Sequence, residues 1–133
     1  MGRAIPLWRR LRTGLETCVA TVGLALILLA TASGSAVAAE TVDVKYRGPV
    51  DLAKFECTGE LDSSVVKRVC YNAEHSYMLI RLKQVWYHYC EIDQGTVSAL
   101  LAARSKGTFY SGSIKDSGTG GKFGCRDKAV PEF

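Results

Sequence analysis

Few side chains in this sequence are of types that do chemistry. His88 lies between Tyr87 and Tyr89, with Glu91 and Asp93 just beyond, and a histidine beside a carboxylate is the raw material of a general base. On a strand, however, His88 faces away from the Tyr87/Tyr89 side, and Glu91 and Asp93 suit the turn into a following helix, so a structural histidine is expected. His75 falls in a polar loop. Ser105 precedes Lys106-Gly107 without the G-x-S-x-G pattern of a nucleophile elbow. Capping a helix end, or bonding to backbone in the next turn, is its expected role. Gly118-Thr119-Gly120-Gly121-Lys122 has a phosphate loop's composition but neither Walker spacing nor a strand-to-helix setting, and reads as a flexible loop. No C-x-x-C is present for redox work. These residues predict no catalytic set, no cofactor and no metal site.

The elements that hold these residues begin after a leader. Arg3, Arg9, Arg10 and Arg12 precede an apolar run from Cys18 to Ala30, which leads into the small residues Ser33 to Ala39. That order is the pattern of a secretory signal peptide over residues 1–39. Cleavage after Ala39 would leave 94 of the 133 residues and a net charge near +1 instead of +4, because four arginines and Glu16 depart. Basicity then belongs to the leader, and a strongly electrostatic nucleic-acid binder loses its compositional support. An exported chain, periplasmic or secreted, is expected, with no stable membrane span once mature.

Cys57, Cys70, Cys90 and Cys125 remain, and four cysteines in a short exported chain read as two disulfides with three connectivities open. Zinc is the competing reading, but C-x2-C and H-x3-5-H spacings are both absent. Three strands follow from β-branched and aromatic runs: Val65–Tyr71, Tyr77–Leu82 and Val85–Cys90. Only Lys83-Gln84 links the last two, a tight turn without the Gly or Asn that accepts positive φ. Alternation puts Met78, Ile80 and Leu82 on one side and Tyr77, Leu79 and Arg81 on the other. Trp86, His88 and Cys90 likewise alternate with Tyr87 and Tyr89. Val97, Leu100, Leu101 and Arg104 then repeat at helical spacing, capped by Thr96 or Asp93. Phe109 to Ile114 suggests a second turn or short helix.

The predicted fold is therefore α+β: a small three-stranded antiparallel sheet with one short helix packed on it, stapled by two disulfides. Residues 40–60 form an extended N-terminal arm, 61–116 the domain, and 117–133 a C-terminal arm tied by Cys125. The favoured pairing is Cys70–Cys90 with Cys57–Cys125. It requires Cys70 and Cys90 to lean past the end of the middle strand, since strands two apart lie about 9.6 Å from each other.

Ser63-Ser64-Val65, Tyr71, Tyr87-His88-Tyr89, Ala103-Arg104-Ser105-Lys106-Gly107, and Phe109-Tyr110 with Ile114 occur in the order and spacing of one family. In these pieces the chain resembles the KTSC domain, found at the C-terminus of some lysyl-tRNA synthetases. The sequence departs from the family's pattern at Lys83-Gln84, at Gly112 and in its four cysteines. The resemblance implies a small module of unassigned function, with RNA binding suggested by its association with the synthetase. A candidate binding surface is Trp86, Tyr87, Tyr89 and Arg81, where rings would stack and the guanidinium would meet phosphate. The expected function is that of a non-enzymatic binding module, a monomer whose partner is a protein or an envelope ligand. A nucleic-acid partner is the alternative, and an envelope enzyme or inhibitor the minor one.

Overall fold

The structure, a computed structural model, describes residues 39–133. The leader reading lies outside the described residues. Among those described, no helix is long and apolar enough to cross a membrane.

Six strands form one mixed sheet: β1 (Thr41–Val44), β2 (Gly48–Asp51), β3 (Glu56–Cys57), β4 (Val66–Asn72), β5 (Tyr77–Leu82) and β6 (Val85–Tyr89). Three helices follow: α1 (Gln94–Ala102), α2 (Lys106–Ser113) and α3 (Asp116–Thr119). The strand order is β2-β1-β6-β5-β4-β3. A three-stranded sheet with one helix is thus overturned. The expected meander β4-β5-β6 is the middle of the sheet, and residues 41–57 add strands at both edges. Their β1–β2 hairpin sets β1 parallel to β6, while β3 lies antiparallel to β4.

A sheet buried on both faces needs apolar side chains at successive positions, and β5 runs Tyr77-Met78-Leu79-Ile80, all fully buried. Met78 and Ile80 face α1 and α2, packing with Val69, Ile92, Leu100 and Ile114. Tyr77 and Leu79 face the other way, among Val44, Leu52 and Trp86. Leu52 belongs to a single 3-10 turn (Leu52–Lys54), by which the chain crosses from the β2 edge to the β3 edge. A register shift between Val66 and Arg68 turns both Val66 and Val69 toward the helices, three positions apart instead of two. Asp93, not Thr96, caps α1: its carboxylate accepts from the Thr96 N–H at 2.8 Å.

The disulfides are Cys57–Cys70 and Cys90–Cys125, not the favoured pairing. β5 lies between β4 and β6 and keeps Cys70 from Cys90. Instead β3 sets Cys57 directly opposite Cys70, with their Cα atoms 4.0 Å apart. At the other end the Cys90 N–H donates to the Phe123 carbonyl at 2.8 Å, bringing the C-terminal segment and Cys125 alongside.

Lys83-Gln84 is indeed a two-residue turn, with Leu82 paired to Val85. Lys83 has φ 56°, the left-handed region that disfavours a side chain. Lys83→Gly relieves that cost while raising the entropy of the unfolded chain. The expected net gain is about 0.5 kcal/mol, or a Tm rise of about 2–4 °C. A calorimetric scan showing a lower Tm for the variant would contradict the strain.

Candidate functional site

Most of the motif side chains hold the fold together. Ser63 Oγ accepts from the Val65 and Val66 N–H groups at 3.4 and 3.2 Å, fixing the turn into β4. The buried Tyr71 hydroxyl donates to the Ile92 carbonyl at 2.9 Å, tying β4 to the segment before α1. The hydroxyls of Tyr89 and Tyr110 lie 2.7 Å apart in the core, joining β6 to α2. Ser105 caps α2 by accepting from the Thr108 N–H at 3.3 Å. Gly107 lets the first turn of α2 approach Val65, whose side chain would lie 3.4 Å from an added Cβ. Phe109 packs at the margin of the same core.

The histidines and carboxylates are engaged separately. His88 Nδ1 is 2.8 Å from the Tyr77 hydroxyl. Burial, together with the Arg47 charge, holds its imidazole below the usual histidine range. Glu91 pairs with Lys128 and Asp93 caps α1, so neither serves as a partner of His88. His75 Nδ1 sits 3.0 Å from the Asn72 side-chain oxygen. Among the described residues no group of three or more His, Cys, Asp or Glu could hold a metal ion. The glycine-rich tract is not simply a loop: it ends α3, with Gly120 and Gly121 at φ 69° and 83°.

The four side chains expected to share a binding surface are divided. Trp86 and Arg81 project from one face of the sheet, Tyr87 and Tyr89 from the other. Trp86 and Tyr89 are buried, and Arg81 pairs with Glu60. Tyr87 and Arg81 are partly open. Of the cations available for phosphate, Arg68 bonds Glu40 at 2.6 Å, while Arg104 stays exposed.

Two of the open grooves among the described residues are each lined by several motif residues. The first, of about 720 Å³, lies between Asp62–Val65 and Arg104–Thr108, closed at its end by Ser111 and Gly112. It brings together two motif segments about forty residues apart in the chain. The second, of about 630 Å³, follows the outer edge of β6 and is lined by Tyr46, Tyr87, His88, Tyr89, Asp116 and Arg126. Tyr46 and Arg126 escaped the sequence reading. Tyr46 had one signal: it lies two residues before Gly48-Pro49, a dipeptide that marks a turn.

Burial raises three phenols: Tyr77 to about 12, and Tyr89 and Tyr110 upward as well. In the unfolded chain they ionise near pH 10. Because the folded values lie above the unfolded ones, this stabilising effect is complete below about pH 10. It is lost as pH rises from 10 through the folded value of about 12. Alkaline unfolding followed by circular dichroism should begin above pH 10, with phenolate absorbance rising in step. Full ionisation of all six tyrosines with the fold intact would contradict this.

Comparison with known proteins bears on residues 62–117, which match the KTSC domain family. No curated protein matches the chain.

Proposed function

We propose that this chain, carrying a KTSC-type domain over residues 62–117, is an exported, non-enzymatic binding module. Its partner seats in the groove between Ser63-Ser64-Val65 and Arg104–Thr108. One observation carries the reading: the two motif segments converge on this groove, yet Ser63 and Ser105 are already committed to backbone N–H groups. What remains open is a rim of hydroxyls with the exposed Arg104, a surface suited to recognition. Export is supported by the leader pattern and by two disulfides of the kind that persist in oxidising compartments.

The oxidised full chain, immobilised and exposed to its own cell-envelope fraction, should retain a partner. Arg104→Glu should weaken that retention about tenfold, while Lys54→Ala, beside Asn72 at the far end of β4 from the groove, leaves it unchanged. Equal retention by both variants would remove the groove from the reading. Recovery of the chain from the cytosol with free thiols would remove export. The nucleic-acid alternative has less support, because its stacking rings and cations do not share a surface. Binding to single-stranded RNA that weakens steeply with salt would revive it.

A further inference from the structure

We infer that the groove along the outer edge of β6 binds an oligosaccharide carrying acetamido groups. The inference goes beyond the proposed function, since this groove shares no lining residue with the first.

It starts from the backbone. Alternation along a strand sends the N–H and C=O of every second residue toward the same neighbour. The Trp86 carbonyl points outward, accepting from the Lys45 N–H at 2.9 Å. The Cys90 N–H also points outward, donating to the Phe123 carbonyl at 2.8 Å. His88, midway between them, therefore directs its own N–H and C=O to the outer edge. β1 pairs with β6 only at Val44 and Trp86, so among the described residues no strand covers this position. The free edge is one residue long. Strand addition by a peptide requires several successive pairs, and the residues on both sides are occupied. A ligand presenting a single isolated amide fits instead, its carbonyl accepting from the His88 N–H and its N–H donating to the His88 carbonyl.

The walls specify what surrounds that amide. Tyr46 is 85% exposed and has φ 67°, a conformation that is costly for a bulky residue and that packing does not repay. Its ring and that of Tyr87 flank the Lys45 ammonium, 5.0 and 5.6 Å from the ring centres. Lys45 covers one face of each ring, and Tyr87 also packs on the core. The exposed Tyr46 therefore offers the open apolar face for the C–H surface of a sugar ring, beside a cavity of about 630 Å³, a usual small-ligand size. Asp116 and Arg126 also line the groove, the one able to accept and the other to donate, which suits hydroxyl groups. Their charges are opposite, and the Lys45 ammonium held beside the two rings is a further donor for hydroxyl or acetamido oxygens. Apolar ring faces, many hydroxyls and one amide per unit are the chemistry of an N-acetylhexosamine chain.

The test titrates the oxidised full chain with N-acetylglucosamine tetramer, followed by amide NMR, with cellotetraose as the neutral analogue lacking acetamido groups. Saturable binding is expected, with the largest amide shift at His88 and about tenfold weaker binding of cellotetraose. Tyr46→Gly should weaken binding about tenfold while keeping or raising Tm, because glycine accepts this backbone. Absence of saturation at millimolar sugar overturns the inference, as does equal affinity for cellotetraose. Shifts centred on Ser64 and Arg104, or displacement of the sugar by oligouridine or a short extended peptide, overturn it too.

Discussion

Reducing both disulfides is expected to unfold the domain near physiological temperature. Cys57–Cys70 closes a separation of 13 residues and Cys90–Cys125 one of 35. Chain entropy assigns them about 3 and about 4 kcal/mol respectively, against about 5–15 kcal/mol for a whole domain. The order of the two is testable. Cys90→Ser/Cys125→Ser should lower stability more than Cys57→Ser/Cys70→Ser. The longer loop holds α1, α2 and α3, whereas the shorter one joins strands already in register. Denaturant melts of the oxidised chain, the reduced chain and the two double variants check this directly. A reduced chain with an unchanged midpoint would mean that the bridges do not support the fold.

Gly118→Ala should cost about 2–3 kcal/mol, and Gly112→Ala should do the opposite. At Gly118 an added Cβ would stand 2.2 Å from the Ser111 carbonyl oxygen and 3.1 Å from the Gly112 Cα. Both obstacles are backbone, so α3 must lift from α2 to admit the methyl group, an overpacking cost of about 1–3 kcal/mol. The Ser111 carbonyl belongs to the last turn of a helix that rotamer changes cannot move, which places the cost at the upper end. At Gly112 a Cβ meets nothing within 4 Å, and the residue lies inside α2. There alanine favours the helix by about 0.5–1 kcal/mol. Thermal melts of the two variants should move in opposite directions. A Gly118→Ala protein melting like the parent would show that α3 does not bear on α2.

The parts of the fold legible in the sequence were those with local causes. β4, β5 and β6 announced themselves by β-branched and aromatic runs, and alternation assigned Met78 and Tyr77 to opposite faces, as found. The edge strands did not. β1 and β2 have four residues each and β3 has two, and β1 joins the sheet through a parallel partner some forty residues away. Nothing in residues 41–57 encodes that neighbour locally. The same gap misdirected the sulfurs, because Cys57 meets Cys70 only through β3. α2 was half seen for another reason: Gly107, Gly112 and its serines dilute the apolar spacing, leaving Tyr110 as its one buried residue. At the candidate surface, alternation already separated Trp86 from Tyr87. Its loss as a stacking platform was therefore implicit in the strand itself. The groove beside β6 was not, since Tyr46, Asp116 and Arg126 meet there only through the tertiary fold.

The crossover from one sheet margin to the other sets the limits of any excised fragment. Cutting the chain to residues 62–117 would remove β1, β2 and β3 together and take away Cys57 and Cys125, leaving both remaining cysteines unpaired. The bared flanks of β4 and β6 would then offer ladders to neighbouring molecules, the usual origin of sticky, self-associating sheets. The stretch that matches the family is thus shorter than the stretch that folds, and a soluble preparation must start before Thr41 and run past Cys125.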